Sequence, residues 1–183
     1  MGIFCDRILH HGRPASAEGR SANEMAVYER LDALGIAYDR LDHAPAMTIA
    51  DCAEIDGLLG GSIAKNLFLC NAQKTSFYLA ILPGEKHFQT RLLSAQLGCS
   101  RLSFAPPERM EEMIGCKPGS ASLLGILFDP DNRVCFCMDR ELLRHPIFAC
   151  HPCANTSSLR LRTSDITDVL LPAVGHPLHW VEL

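Results

Sequence analysis

Apolar residues recur along this chain at two spacings, one close to 3.6 and one close to 2, and their alternation sets the expected order of elements. Val27, Tyr28, Leu31 and Leu34 follow Ser21 at helical intervals. Ser21 and Glu24 have the spacing of a capping box, and Gly35 marks the stop. Ala37 to Asp42 alternates in the manner of an edge strand. Thr48 to Gly57 reads as a short helix, with Thr48 as its cap, Asp51 in its first turn and Gly57 at its end. Gly60-Gly61 links it to a strand from Ala64 to Cys70 that opens on Lys65-Asn66. A second apolar strand spans Thr75 to Leu82, with Asn71 to Lys74 as the hairpin turn.

Arg91 to Leu97 and Pro107 to Ile114 have helical patterning, the latter closed by Gly115. Asp129-Pro130-Asp131-Asn132 is a strong turn signal between the apolar segments Gly125 to Phe128 and Val134 to Met138. A strand is expected over Ser158 to Arg162, a last helix from Ser164, and a closing strand at His179 to Val181. Strands interspersed with helices, with no internal repeat and no linker, predict one mixed α/β (α+β) domain over residues 21–183. Its sheet is expected to be mixed, mostly antiparallel, with flanking helices. Residues 1–20 lack periodicity and are expected to form a loose arm.

Composition narrows the class. The 183 residues are 48% hydrophobic and 21% charged, ordinary for a water-soluble domain, and no apolar run approaches the ~20 residues that span a bilayer. Met1 to Pro14 carries charges and paired histidines, so no secretory signal is expected there and a cytoplasmic location is. The nine cysteines lie mostly inside apolar segments, as small hydrophobes do in a reducing compartment, and their odd number argues against a disulfide framework. A net charge of −4 does not suit a protein that coats duplex DNA, although it permits one that holds a short RNA end. Arg133, Arg140, Arg144, Arg160 and Arg162 could touch phosphates or stand as solvated surface.

Four polar segments interrupt the apolar elements and carry the candidate chemistry. They are His43 to Ile49, Lys65-Asn66, Gly119 to Gly125, and His151 to Thr156. A lysine at a strand head can hold a phosphate or polarise a carbonyl as a point charge, or it can simply be solvated. A glycine-serine loop can offer backbone N–H groups to an ester oxygen. A loop histidine can orient a ligand or move a proton near neutral pH, or merely bond locally. Two other readings compete. Cys135-x-Cys137 and Cys150-x-x-Cys153 have spacing that a four-thiolate zinc site could use. Ser120, Ser122 and His151 could form a nucleophilic hydrolase, but no Gly-x-Ser-x-Gly elbow is present.

Taken in order, the segments resemble the YbaK-like aminoacyl-tRNA deacylases, the family that includes the editing insert of bacterial prolyl-tRNA synthetases. The free-standing branch that clears alanyl-tRNA(Pro) is the nearest match. The resemblance runs from about Tyr28 to Leu183. It rests on Leu34-Gly35-Ile36-Ala37-Tyr38, His43-x-Pro45-x-x-Thr48-Ile49, Lys65-Asn66-Leu67-Phe68-Leu69, Arg101-Leu102-Ser103-Phe104, Pro118-Gly119-Ser120, Leu124-Gly125-Ile126 and His151-Pro152-x-x-Asn155-Thr156. It implies a cleft for the tRNA acceptor end, no cofactor and no metal, and prolyl-tRNA synthetase as a further partner. It implies that Lys65, Gly119 and His151 serve catalysis, with Lys65 on the terminal adenosine or its phosphate. Thr48, Ile49, Cys52, Asn66, Ser120, Ser122, Asn155 and Thr156 would bind substrate, Ile49 and Cys52 by sizing the amino-acid pocket. The implied function is hydrolysis of a mischarged 3′ aminoacyl ester, most simply alanyl-tRNA(Pro). Seryl, threonyl or cysteinyl esters, or binding of charged tRNA without turnover, are the alternatives. The chain departs from the family at Leu123, where the loop usually has proline, and at Cys70, where a charged residue is usual.

Overall fold

The computed structural model describes residues 5–46, 49–61 and 63–183, with residues 49–52 described through their backbone alone. The chain order is β1 (His10–His11), α1 (Ala22–Ala33), β2 (Tyr38–Asp42), α2 (Ile49–Leu59), β3 (Lys65–Asn71), β4 (Phe77–Leu82), α3 (Thr90–Leu97), β5 (Leu102–Phe104) and α4 (Pro107–Ile114). A 3-10 segment (Leu123–Phe128) leads to β6 (Val134–Asp139), and another (Arg140–Arg144) leads to β7 (Ile147–Cys150) and β8 (Ser157–Arg162). The last helix begins as α5 (Thr163–Asp165), passes through a π turn (Ile166–Leu170) and ends as α6 (Leu171–Val174) before β9 (Leu178–Val181).

The strands divide between two sheets. One is antiparallel, in the order β1-β2-β8-β7; the other is mixed, in the order β5-β3-β4-β6-β9, with β4, β6 and β9 parallel. The expected mixed α+β fold is present, in two sheets rather than one.

Strand periodicity explains the layering, because alternate side chains point to opposite faces. Phe68 and Cys70 of β3, Leu79 and Ile81 of β4, and Phe136 and Met138 of β6 meet Phe148, Cys150, Leu159 and Leu161 of the antiparallel sheet in the main core. The intervening residues, Leu69, Ala80 and Cys137, face the other way and pack under Leu93 of α3. On the outer face of the antiparallel sheet, Leu41 and Ala149 pack against Ile55 and Leu59 of α2.

Three expectations change. Residues 5–20 do not hang free: His10 and His11 pair with Arg40 and Asp39, and Cys5 bridges to His43. Consequently β2 is an interior strand between β1 and β8, not an edge. Gly57 does not end α2, which runs to Leu59. Burying Leu59 and Ile55 outweighs the ~1 kcal/mol that an interior glycine costs a helix. The apolar segment Gly125 to Phe128 lies in a 3-10 turn, with Gly125 against the end of α4. A Cβ there would stand 2.8 Å from the Ile114 carbonyl oxygen.

Candidate active site

Besides packing across the core, the two sheets are joined through their backbones beside the start of β3. Ala64 donates its N–H to the Ala149 carbonyl at 2.9 Å, and Ile63 forms a parallel bridge with Ala149. Continued two residues along both chains, that register runs to Lys65 and His151. The hydrophobic pattern that starts β3 and ends β7 therefore brings two distant polar segments to the same end of the sheets. Ala149 and Ile63 pack toward α2, so this corner lies on the α2 side.

His151 is held from beneath. Its Nδ1 lies 3.0 Å from the Ser157 carbonyl oxygen and 3.2 Å from Ser158 Oγ. A carbonyl can only accept, so Nδ1 carries the proton and Nε2 of the neutral ring keeps a lone pair. Nε2 has no hydrogen-bond partner among the described residues. Burial lowers the proton affinity of His151 below the usual imidazole value, and the nearby His43 ring lowers it further; the Ser157 carbonyl opposes both. The two imidazole centroids are 6.1 Å apart.

The Gly119 loop is fastened to the same histidine. Ser122 Oγ donates to the His151 carbonyl at 2.5 Å and accepts from Leu124 N–H at 3.1 Å, capping the 3-10 segment. Leu123, fully buried, begins that segment. Ser120 Oγ is closed into a turn with both the N–H and the carbonyl of Lys117. The hydroxyls of Ser120 and Ser122 are thus buried and occupied, so what this loop can offer a ligand is its backbone. Gly119 has φ +84°, a left-handed conformation that suits glycine, and the Gly119 and Ala121 amides have no acceptor among the described residues. Asn155 approaches from the His151 loop, its Nδ2 3.5 Å from where a Gly119 Cβ would stand. Thr156 enters through its carbonyl, which accepts from His43 N–H at 2.9 Å.

Lys65 and Asn66 part company, as neighbours on a strand must. Lys65 Nζ donates to the Lys86 carbonyl at 2.7 Å, which points the ammonium along the rim and not into a bond with the Gly119 loop. Asn66 faces the main core. Its Nδ2 donates to the Ala64 carbonyl at 2.6 Å, while its Oδ1 is buried without a partner among the described residues. An orphaned acceptor of that kind costs about 1–3 kcal/mol. Thr48 lies outside the described residues. Ile49 and Cys52 lie in the first turn of α2, with their side chains outside the description.

Sequence reasoning missed His43 and Ser158 as individual residues. His43 is buried, with Nδ1 2.8 Å from the Ala44 carbonyl and Nε2 2.9 Å from Ser158 Oγ. The only signal available was its place at the head of the first polar segment.

The metal reading does not survive the fold. Cys137 and Cys135 belong to the layer under α3, whereas Cys150 and Cys153 lie in the main core on the opposite face of the mixed sheet. Four thiolates on two faces cannot share one ion. Among the described residues Asp6, His10 and Asp42 converge, but Asp42 is already paired with Arg20 and Arg40. The arginines expected at phosphates are mostly engaged: Arg160 with Asp39, Arg162 with Asp165, Arg133 with Asp129 and Glu112.

The two-sheet α+β fold is already known among solved structures. It superposes with a TM-score of 0.64 on a protein described as a candidate trans-editing enzyme for prolyl tRNA synthetase, at 19% identity over 89% of this chain and 98% of that one. The hypothetical protein APE2540 gives the same TM-score at 22% identity, over 85% and 97%. The chain belongs to the aminoacyl-tRNA editing domain family, which matches residues 43–169 and so takes in all four polar segments. The prolyl-tRNA editing protein ProX of Acetoanaerobium sticklandii is 29% identical over 160 residues, 87% of this chain and 97% of that protein. The prolyl-tRNA synthetase associated domain-containing protein 1 of Bos taurus is 30% identical, over 82% and 88%. No described helix is long and apolar enough to cross a membrane.

Proposed function

We propose that this protein hydrolyses the 3′ aminoacyl ester of a mischarged tRNA in trans, with alanyl-tRNA(Pro) as substrate. The observation that carries this reading is the fixed tautomer of His151. Its Nε2 lone pair has no partner among the described residues, and its carbonyl is fastened to the Gly119 loop through Ser122. Family membership supports the ester class, and the relatives' names support prolyl-tRNA.

The chemistry needs no nucleophilic side chain. The ester carbonyl oxygen is placed on the Gly119 and Ala121 amides, which bind it more strongly as negative charge develops. Water attacks the carbonyl carbon, its proton drawn toward His151 Nε2 directly or through the ribose 2′-hydroxyl. The tetrahedral intermediate collapses, the bond to the ribose 3′ oxygen breaks, and that oxygen takes up the proton. Free amino acid and deacylated tRNA leave. Lys65 holds the terminal phosphate or adenosine. Asn66 Oδ1 accepts a hydrogen bond from the substrate, the partner it lacks among the described residues. Ile49 and Cys52, with Thr48, wall the amino-acid pocket.

Editing in trans has a physical rationale. A synthetase pocket shaped for proline rejects a smaller side chain by only about 1–3 kcal/mol per missing methylene. A second site that admits alanine and excludes proline supplies the rest. The test is release of amino acid from a panel of purified aminoacyl-tRNAs. Alanyl-tRNA(Pro) is expected to be cleaved and prolyl-tRNA(Pro) spared. Lys65→Ala and His151→Ala are each expected to lower the rate about 100-fold. Tight binding of charged tRNA without release would make the chain a binding module. Preference for seryl-, threonyl- or cysteinyl-tRNA would keep the reaction and reassign the pocket.

A further inference from the structure

We infer that His43 is a positioning residue for His151, acting through the Ser158 hydroxyl to keep His151 Nε2 free of a proton. The inference rests on the editing reading of His151 and adds the device that prepares that ring.

The chain of hydrogen bonds has one consistent assignment. His43 Nδ1 faces the Ala44 carbonyl at 2.8 Å, so the His43 proton sits on Nδ1 and its Nε2 must accept. The group facing Nε2 at 2.9 Å is Ser158 Oγ, which therefore donates its only proton to His43. Toward His151 Nδ1, 3.2 Å away, the same oxygen can then only accept. The Ser157 carbonyl, 3.0 Å from that nitrogen, makes the same demand. Both contacts require the proton on His151 Nδ1, and the lone pair is left on Nε2.

Without an acceptor at His43, this arrangement loosens in a definite way. Ser158 is fully buried, so its freed proton has no water to turn to. The nearest alternative is His151 Nδ1. A hydroxyl that donates there stabilises the tautomer with hydrogen on Nε2, which cannot draw a proton from water. His43 is itself 5% exposed and anchored at both ends of its residue, through Thr156 and Cys5. Burial keeps the proton affinity of the His43 ring below the ordinary value against the opposing pull of the Ala44 carbonyl, Asp42 and Asp6, as the relay requires.

Two readouts test the proposal, one of them independent of catalysis. Long-range nitrogen–proton spectra of the histidine rings are expected to show His151 protonated on Nδ1 and bare on Nε2 in the unmodified protein. A wild-type His151 with hydrogen on Nε2 overturns the relay whichever variants fold. His43→Phe keeps a ring and removes the acceptor; it is expected to raise the Nε2–H form and lower kcat about tenfold with KM little changed. His43→Gln places a carbonyl oxygen near the former Nε2 position and is expected to restore the native tautomer. In a Ser158→Ala background the hydroxyl is gone, so His43→Phe is expected to cost nothing further. An equal loss in both backgrounds shows that His43 acts by packing and overturns the proposal. Failure of wild-type protein to deacylate any aminoacyl-tRNA would sink the editing reading alone, since the ring spectra still report on the relay.

Discussion

Glu24 supplies the most quantitative prediction. It lies on α1, 1% exposed, and its Oε1 accepts from Arg20 Nη1 at 2.6 Å, Tyr28 OH at 2.8 Å and Ser157 Oγ at 2.8 Å. Through Ser157 it braces the strand whose carbonyl orients His151. Glu24→Ala removes the common acceptor from a partly buried cation and two buried hydroxyls. Breaking a buried pair from one side costs about 3–5 kcal/mol. Here Arg20 keeps Asp42 at 2.7 Å, and Tyr28 OH and Ser157 Oγ, 3.2 Å apart, can bond to each other. The lower end, about 3 kcal/mol, is therefore expected. At about 2–4 °C per kcal/mol for a chain of this size, Tm falls by about 6–12 °C. Glu24→Gln keeps the accepting oxygen and loses only the charge, so about 1–2 kcal/mol is expected. Urea titration of the three proteins, with equal m-values, measures both numbers. If Glu24→Ala lies within about 1 kcal/mol of wild type, or Glu24→Gln costs as much as Glu24→Ala, the hub does not bear the load assigned to it.

Other perturbations follow from the same geometry. His43 and His151 both bind protons less readily in the folded chain than the usual imidazole value of 6.5. The unfolded chain therefore takes up more protons below that pH, so their contribution to stability is complete above it and declines as pH drops toward the folded values. Urea stability is expected to be lower at about pH 5.5 than at about pH 7.5, with a smaller drop in His43→Phe; a flat profile contradicts the burial argument. Gly125→Ala forces a Cβ to within 2.8 Å of the Ile114 carbonyl oxygen, backbone that cannot rotate away. It is expected to destabilise by about 1–3 kcal/mol and to depress deacylation through the Ser122 cap; unchanged thermal stability would show that the turn yields freely. Gly119→Ala places a side chain at φ +84°, at a cost of about 1–2 kcal/mol. Deacylation is expected to fall far more than melting temperature, and parallel loss of both would assign the glycine a purely conformational role.

How much of this was legible beforehand differs from element to element. Ser21, Val27, Tyr28 and Leu31 announced α1, and Ser21 Oγ does accept from Glu24 N–H at 3.1 Å. The second half of the capping box was a false lead, because the Glu24 carboxylate turns inward to Arg20, Tyr28 and Ser157. The alternation of β3 and β4 was equally plain. It could not reveal that Lys65 and Asn66 would face different surroundings, since a period of two gives the faces without saying what covers each. The four polar segments were visible as interruptions of apolar runs. Their convergence was not, for it depends on Ile63 meeting Ala149 across 85 intervening positions.

Sequence alone determined what is local: the helices with a cap and a 3.6 period, the paired strands with a tight turn, and the residue types able to do ester chemistry. These follow from backbone preference and from side chains a few positions apart. Tertiary structure alone decided which histidine nitrogen holds the proton, that two serine hydroxyls are spent on protein partners, that the N-terminal arm closes a sheet, and that the cysteine pairs lie on opposite faces. Each of those outcomes is a contact between segments far apart in the chain, fixed only when burial brings one sheet against the other.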